Sequence, residues 1–142
     1  MNARDKCEAY FFCAECGELA GRLVLLRGGE PSTERSRPVL EALAEIDAIV
    51  RPRDQAALVI DAMFSPESLP VLDHKLPGVA AALDSGDAAA LYALSMSYVP
   101  FYCDHCEVSY CQWHWSPRRF EDGDIEGIEG NCPKGHFRLF RY

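Results

Sequence analysis

The sequence of 142 residues lacks any apolar run approaching the roughly 18 residues that a membrane-spanning helix requires. Its N-terminus also lacks the apolar stretch of a secretory signal, because only a short aromatic run, residues 10–12, precedes Cys13 and Glu15. We therefore expect a cytoplasmic protein. In a reducing compartment, cysteines at regular spacings are more often metal ligands than disulfide partners.

Positive charge is scarce as well. The formal net charge is −8, and most of the acidity lies in residues 38–100. A protein that coats duplex nucleic acid is disfavoured, since binding to phosphates depends on clustered Lys and Arg. The exception is local, because residues 132–142 contain Lys134, Arg138 and Arg141 and no acidic residue.

Sequence motifs of common enzymes are missing too. The chain has no G-x-S-x-G elbow, no phosphate-cradling glycine loop and no H-E-x-x-H helix. The sequence therefore predicts no catalytic residue and a protein that is not an enzyme. Its length and an apolar fraction of 49% fit one α+β domain, residues 1–142, with a modest core.

The middle segment, residues 38–100, contains no cysteine and is rich in Ala and Leu, which predicts a helical insert. Apolar residues at three- and four-residue steps predict one helix over residues 39–50 and a second over residues 54–63, capped by Asp54. A short helix is expected around residues 79–83. A further helix, capped by Asp87, is expected to run through Leu94 towards Tyr98.

The two ends of the chain, residues 1–37 and 101–142, have the composition of strands and tight turns. Aromatic and branched residues predict an N-terminal hairpin from residues 10–12 and 19–26. Further strands are expected within residues 108–115 and 137–142, with a turn at residues 121–124. We expect a small, β-rich two-zinc finger formed by both ends.

Cysteine and histidine occur at these ends in four short pairs. Zinc prefers four sulfur or imidazole ligands in a structural site, and two ligands separated by two or three residues can reach one ion from a single turn. Eight ligands fill two closed sites. The pairs, and hence the predicted ligands of two Zn²⁺ ions, are Cys13 and Cys16, Cys103 and Cys106, Cys111 and His114, and Cys132 and His136.

The paired cysteines could have roles other than metal binding. Any single pair could be an inert buried couple, and redox use of Cys13 or Cys103 is disfavoured because neither lies in a strand-then-helix setting. Of the remaining residues, Cys7 is expected to be a free thiol or a small core residue that could replace a weak ligand. His105 and His74 are expected to be solvated.

The run from Tyr102 to Trp115, with a four-residue gap between a C-x2-C and a C-x2-H pair, resembles the cross-braced fingers of the RING and B-box type. In such fingers alternate pairs share an ion. The resemblance implies one zinc on Cys13, Cys16, Cys111 and His114, and another on Cys103, Cys106, Cys132 and His136. The second set also resembles a zinc ribbon, and residues 100–136 resemble a group of uncharacterised bacterial proteins with no known activity.

One departure from RING-type fingers leaves a second pairing open, because 86 residues separate Cys16 from Cys103, far more than in those fingers. In this sequential arrangement, neighbouring C-terminal pairs share one ion and the outermost pairs share the other. The two sets are then Cys103, Cys106, Cys111 and His114, and Cys13, Cys16, Cys132 and His136.

Aromatic residues alternate with the ligands, and they bear on function. Tyr110, Trp113 and Trp115 are expected to supply the small core of the finger, with an exposed Trp as partner anchor the lesser alternative. The preferred function is a non-catalytic module that binds another protein, with no membrane role. The rival is nucleic-acid binding through the C-terminal basic and aromatic residues, Arg118, Arg119, Lys134, Arg138, Arg141, Phe137, Phe140 and Tyr142.

A minor alternative is a zinc-dependent hydrolase. Cys13 and Glu15, together with a later C-x2-C, resemble zinc nucleoside deaminases, in which a Glu is the general acid and base. That family has a proline before its C-x2-C and a shorter spacing. The resemblance also assigns no role to five of the eight ligand residues.

Overall fold

A computed structural model describes residues 7–27, 55–63 and 66–141. The fold is mixed α+β, and most of its regular structure is antiparallel strand. The first sheet has four antiparallel strands in sequential order. They are β1 (Cys7–Phe12), β2 (Leu19–Leu26), β3 (Ala56–Ala62) and β4 (Glu67–Val71).

The N-terminal hairpin is confirmed, but the helix predicted over residues 54–63 is wrong. These residues form β3, which lies between β2 and β4 and is buried along most of its length. A strand buried on both faces reads as a continuous apolar run, and periodicity alone does not distinguish such a run from a buried helix. Val59 and Ile60, both β-branched, favour the strand. The segment 38–100 is therefore not a purely helical insert.

Two α-helices follow the sheet, α1 (Leu76–Ser85) and α2 (Ala88–Leu94), then a 3₁₀ turn (Met96–Tyr98). Asp87 caps α2 as predicted, because its carboxylate accepts a hydrogen bond from the Ala90 N–H at 3.0 Å. The short helix expected around residues 79–83 is confirmed and extends further at both ends. The helix predicted over residues 39–50 lies outside the described residues.

The helices and one face of the sheet form the larger of the hydrophobic cores. Leu23 and Leu25 of β2 meet Ile60 and Leu58 of β3 in register, and all four belong to this core together with Val79 and Leu91 of the helices. Phe101 extends the core towards the C-terminus. None of the described helices is long and apolar enough to cross a membrane.

The C-terminal region consists of a short hairpin, a 3₁₀ helix and a three-stranded antiparallel sheet. The turn expected at residues 121–124 connects the first two strands of that sheet, with Gly123 at a φ of 66°. Tyr142 lies outside the described residues. The strands are β5 (Tyr102–Cys103), β6 (Val108–Ser109), β7 (Arg118–Asp122), β8 (Ile125–Asn131) and β9 (Phe137–Arg141), and the 3₁₀ helix spans Gln112–Trp115.

Candidate metal centres

Two groups of four ligand residues are brought together by this fold. In each group the candidate ligand atoms all lie within 4.8 Å of one another. We call the first group the hairpin centre, because two of its members lie in the turn between β1 and β2. We call the second the C-terminal centre. The hairpin centre comprises Cys13, Cys16, Cys111 and His114, and the C-terminal centre comprises Cys103, Cys106, Cys132 and His136.

The spacing within both groups fits a tetrahedral metal ion. With metal–sulfur bonds of about 2.3 Å and metal–nitrogen bonds of about 2.0 Å, the edges of a tetrahedron are about 3.8 Å between sulfurs and about 3.6 Å between sulfur and nitrogen. In the hairpin centre the Sγ atoms of Cys16 and Cys111 are 3.8 Å apart, and Cys13 Sγ lies 3.6 Å from His114 Nδ1. A disulfide would require about 2.0 Å between sulfurs.

The C-terminal centre has the same dimensions. Cys132 Sγ lies 3.9 Å from Cys103 Sγ and 3.8 Å from Cys106 Sγ. His136 Nδ1 lies 3.5 Å from Cys103 Sγ and 3.4 Å from Cys106 Sγ. Both groups therefore offer three thiols and one imidazole nitrogen to one ion, and each Cys3His group could hold a metal.

The four ligand pairs alternate between the two groups along the chain. The first and third pairs form the hairpin centre, and the second and fourth pairs form the C-terminal centre. The structure thus contains the two sets implied by the cross-braced resemblance and not those of the sequential pairing. The reason lies in the sheet, because the β1–β2 turn lies against β6, where the Ala14 N–H donates to the Ser109 carbonyl at 2.9 Å.

Both C-x2-C turns have the same backbone shape. The residue after the second cysteine is left-handed in each, Gly17 with a φ of 78° and Glu107 with a φ of 59°. Its N–H donates back to the carbonyl of the first cysteine, over 2.9 Å to Cys13 and 2.7 Å to Cys103. Gly17 adopts this conformation without a Cβ, whereas Glu107, which holds the matching position after Cys106, adopts it with a side chain.

The two histidine-containing pairs use different local structures. Cys111 precedes the 3₁₀ helix that contains His114, whose N–H donates to the Cys111 carbonyl at 3.0 Å. Cys132 and His136 flank a turn that depends on Gly135, with a φ of 92°. The His136 N–H also points at Cys132 Sγ over 3.4 Å, a contact that stabilises negative charge on the sulfur.

The pKa values of three buried thiols are shifted in different directions. Burial opposes ionisation of Cys13, yet backbone N–H groups, first that of Cys111, lower its pKa to about 7. Burial also raises the pKa of Cys132, but backbone hydrogen bonds, first from His136, outweigh it, so that the pKa of this thiol is lowered. Burial raises the pKa of Cys103 to about 11. A buried thiolate at Cys103 therefore needs a cation beside it, as a bound metal would provide.

A small core joins the two centres. Trp115 is 1% exposed, its indole N–H donates to the Phe101 carbonyl at 3.1 Å, and its ring meets Tyr110 and Phe140 edge to face. Gly130 of β8 allows the close approach of the Trp115 backbone, because a Cβ there would overlap the Trp115 carbonyl oxygen. The expected core role is thus confirmed for Tyr110 and Trp115.

Trp113 differs, and the core role expected for it is wrong. Its side chain is 70% exposed, since the 3₁₀ helix directs Trp113 and Trp115 to different sides. The three ligand-type residues outside the pairs lie outside both groups. Cys7 packs against the edge of the large core, His74 is exposed in a turn, and His105 stacks on His136 with ring centroids 4.5 Å apart.

The C-terminal cations occupy different environments. The Arg138 guanidinium donates to the carbonyls of Tyr102 and Met96, and Arg118 bonds to Glu129 and Asn131 at 3.2 and 2.8 Å. Phe140 packs on Trp115, whereas Phe137 is 61% exposed. Arg119 and Lys134 are exposed, and nothing is described of the Arg141 side chain. Two of these C-terminal cations, Arg118 and Arg138, therefore make contacts within the protein.

The chain is thus a small α+β protein with two complete Cys3His groups, one of which brings the N-terminal hairpin and the C-terminal region together. Residues 2–140 match a family described as domain of unknown function DUF8328, and the chain belongs to that family. No curated protein and no solved structure matches the chain.

Proposed function

We propose that this protein is a non-catalytic module that binds another protein, in which one zinc ion joins the N-terminal hairpin to the C-terminal region and a second holds the C-terminal region itself. The observation that supports this most strongly is the completeness of both groups. Each already offers four protein ligands, whereas a catalytic zinc keeps an open position for water or substrate.

Zinc is the metal that this donor set favours. Three cysteine sulfurs and one imidazole form a soft set, and the distances within each group fit a tetrahedron. Copper(I) and iron also bind thiolates, but a closed Cys3His group is the usual ligand set of structural zinc. In this proposal the C-terminal centre, built on two tight turns, resembles a zinc ribbon.

The proposed partner is a protein and not a nucleic acid. Arg138 and Phe140, two of the residues on which nucleic-acid binding would depend, make contacts within the protein. The exposed surface instead presents large apolar side chains, Trp113 and Phe137. Aromatic residues of this kind are enriched at protein interfaces.

Two measurements test the proposal together. Tagged, metal-loaded protein is used to capture partners from the cells that produce it, with and without nuclease, and the same protein is titrated with labelled single-stranded RNA and DNA at several salt concentrations. We expect a protein partner that survives nuclease and no salt-dependent shift of nucleic acid. A strong, salt-dependent shift without a nuclease-resistant partner would instead support the nucleic-acid rival.

A further inference from the structure

A cleft of about 650 Å³ lies beside the hairpin centre, between that centre and the ends of the central strands β2 and β3. Gly21 of β2 and Ala62 of β3 are direct cross-strand neighbours in its wall, and a Cβ on Gly21 would overlap the Phe101 ring that packs against it. The side chains that give the cleft its chemistry are Glu18, Leu19, Asp61, Met63 and Trp113.

Apolar surface in this cleft is open to solvent. Trp113 is 70% exposed and Leu19 is 47% exposed, and Met63 adds a half-buried thioether. An exposed indole face beside aliphatic side chains is unusual on a surface with no partner, because exposed Trp adds apolar area that water solvates poorly. The cleft therefore has the apolar component of a binding site for a side chain.

Its charge has one sign. Glu18 and Asp61 are carboxylates, and no Lys or Arg lines the cleft among residues 7–27, 55–63 and 66–141. Neither carboxylate forms an ion pair within those ranges. A cation from a partner would therefore meet two acidic groups that form no ion pair with any residue that the structure describes.

The residue that could have neutralised Asp61 bonds elsewhere. Arg22 lies directly across from Asp61 in the β2–β3 register, but it is 1% exposed. Its Nη2 lies 2.9 Å from the Glu8 carboxylate and its Nε lies 3.2 Å from the Tyr10 hydroxyl, both on β1. Arg22 therefore pairs with Glu8 and not with Asp61.

We propose that this cleft docks a Lys or Arg side chain presented by an apolar segment of a protein partner. The stem of the cation packs on Leu19 and Met63, its charged end lies over the Trp113 indole as a cation–π contact, and Glu18 and Asp61 receive its N–H donors. This inference rests on the proposed function and names the chemistry that its partner must have.

Peptide display tests it without knowledge of the natural partner. Random octapeptides are selected on immobilised, zinc-loaded protein and sequenced. We expect enrichment of peptides with Arg or Lys next to aliphatic residues, and weaker binding at higher salt. Enrichment of acidic or uncharged peptides, or no enrichment, would overturn the proposal.

Matched variants locate the binding. Trp113→Ala should weaken the selected peptides roughly fivefold or more, and Glu18→Gln combined with Asp61→Asn should remove the preference for cations. The controls change the same chemistry elsewhere on the surface, Phe12→Ala for the aromatic and Glu121→Gln for the charge, and should leave affinity within about twofold. Equal losses in the control variants would place the binding outside the cleft.

The result is separable from that of the proposed function. If a natural partner is captured equally by the parent and by Trp113→Ala, the protein is still a binding module but the cleft is not its docking site. If no protein partner is captured at all while selected basic peptides bind and respond to the variants, the cleft stands and the proposed function lacks its partner. All variants are first checked for unchanged zinc content.

Discussion

The sheet half of the molecule, residues 7–27 and 55–98, and the metal half, residues 99–141, are stabilised by different physical means. The sheet half has a continuous apolar core of leucine, isoleucine and valine side chains from four strands and two helices. The buried cluster around the centres consists of four cysteines, of which Cys13 belongs to the sheet half, with Tyr110 and Trp115 of the metal half. So small an apolar core does not stabilise a fold by itself, and a metal ion bound in each centre would supply the rest.

The hairpin centre draws ligands from both halves. Cys13 and Cys16 belong to the turn of the sheet half, whereas Cys111 and His114 belong to the metal half. The C-terminal centre draws all four ligands from the metal half. One ion should therefore join the halves and the other should fold one of them. The two centres should consequently respond differently to metal removal and to substitution.

Removal of both ions should separate the halves. A strong chelator should abolish the ordered environment of Trp115, because buried thiolates and a few aromatics cannot hold the metal half. Amide protons of β2 and β3 should keep most of their hydrogen-exchange protection, since their core contains no ligand. Near-ultraviolet circular dichroism and hydrogen exchange measure the two responses. An unchanged spectrum and melting point after complete metal removal would contradict the comparison.

Loss of one centre should affect the halves unequally. Cys132→Ser should release one ion and lower hydrogen-exchange protection throughout β7, β8 and β9. Cys16→Ser should also release one ion but leave that three-stranded sheet protected and free the β1–β2 turn. Hydrogen exchange with metal analysis distinguishes them, and Cys7→Ser is the control because Cys7 lies outside both groups. The same protection pattern in both ligand variants would contradict the separate roles of the two centres, in which one joins the halves and the other folds the metal half.

A packing change in the metal half should have an intermediate effect. Gly130→Ala forces a Cβ against the backbone carbonyl of Trp115, which has little room to move, and should lower the free energy of unfolding by roughly 2–3 kcal/mol. Gly78→Ala in α1 is the control, because its Cβ would meet only the Leu94 side chain at 3.3 Å. Chemical denaturation of the metal-loaded protein measures both, and equal changes would contradict the argument.

The two knuckles should respond in opposite directions to backbone substitutions. Gly17→Ala puts a Cβ at a φ of 78° with nothing within 4 Å, so strain is its main effect, and it should destabilise by about 1 kcal/mol. Glu107→Gly removes a side chain from a φ of 59° and should stabilise by up to about 1 kcal/mol. Thermal melts at fixed zinc concentration test the signs. Destabilisation by both would show that the Glu107 side chain matters more than its backbone.

Features that depend on neighbouring residues could be predicted from the sequence, whereas features that depend on contacts between distant parts of the chain could not. Local signals were sufficient for the N-terminal hairpin and for the Asp87 cap, since each depends on residues close together in the sequence. Which pairs share an ion depends on where the sheet places the β1–β2 turn, and the sequence alone left two pairings open. Residues 56–62 were mistaken for helix because a central strand has no polar face to reveal its period.

The surface was harder to predict than the centres. Trp113 and Trp115 differ by two positions, and only the path of the 3₁₀ helix determines that one is 70% and the other 1% exposed. The charge of the cleft also depends on long-range structure, because Arg22 turns to Glu8 and not to Asp61. The spacing of residues in the sequence predicts neither the exposure of Trp113 nor the partner of Arg22.

The number of metal ions bound per chain shows whether the protein has two separate closed centres. Metal analysis of native protein should give two zinc ions per chain, one ion in Cys16→Ser, one in Cys132→Ser and none in the double variant. A ratio near one in the parent protein, or loss of both ions in each single variant, would contradict two separate closed centres.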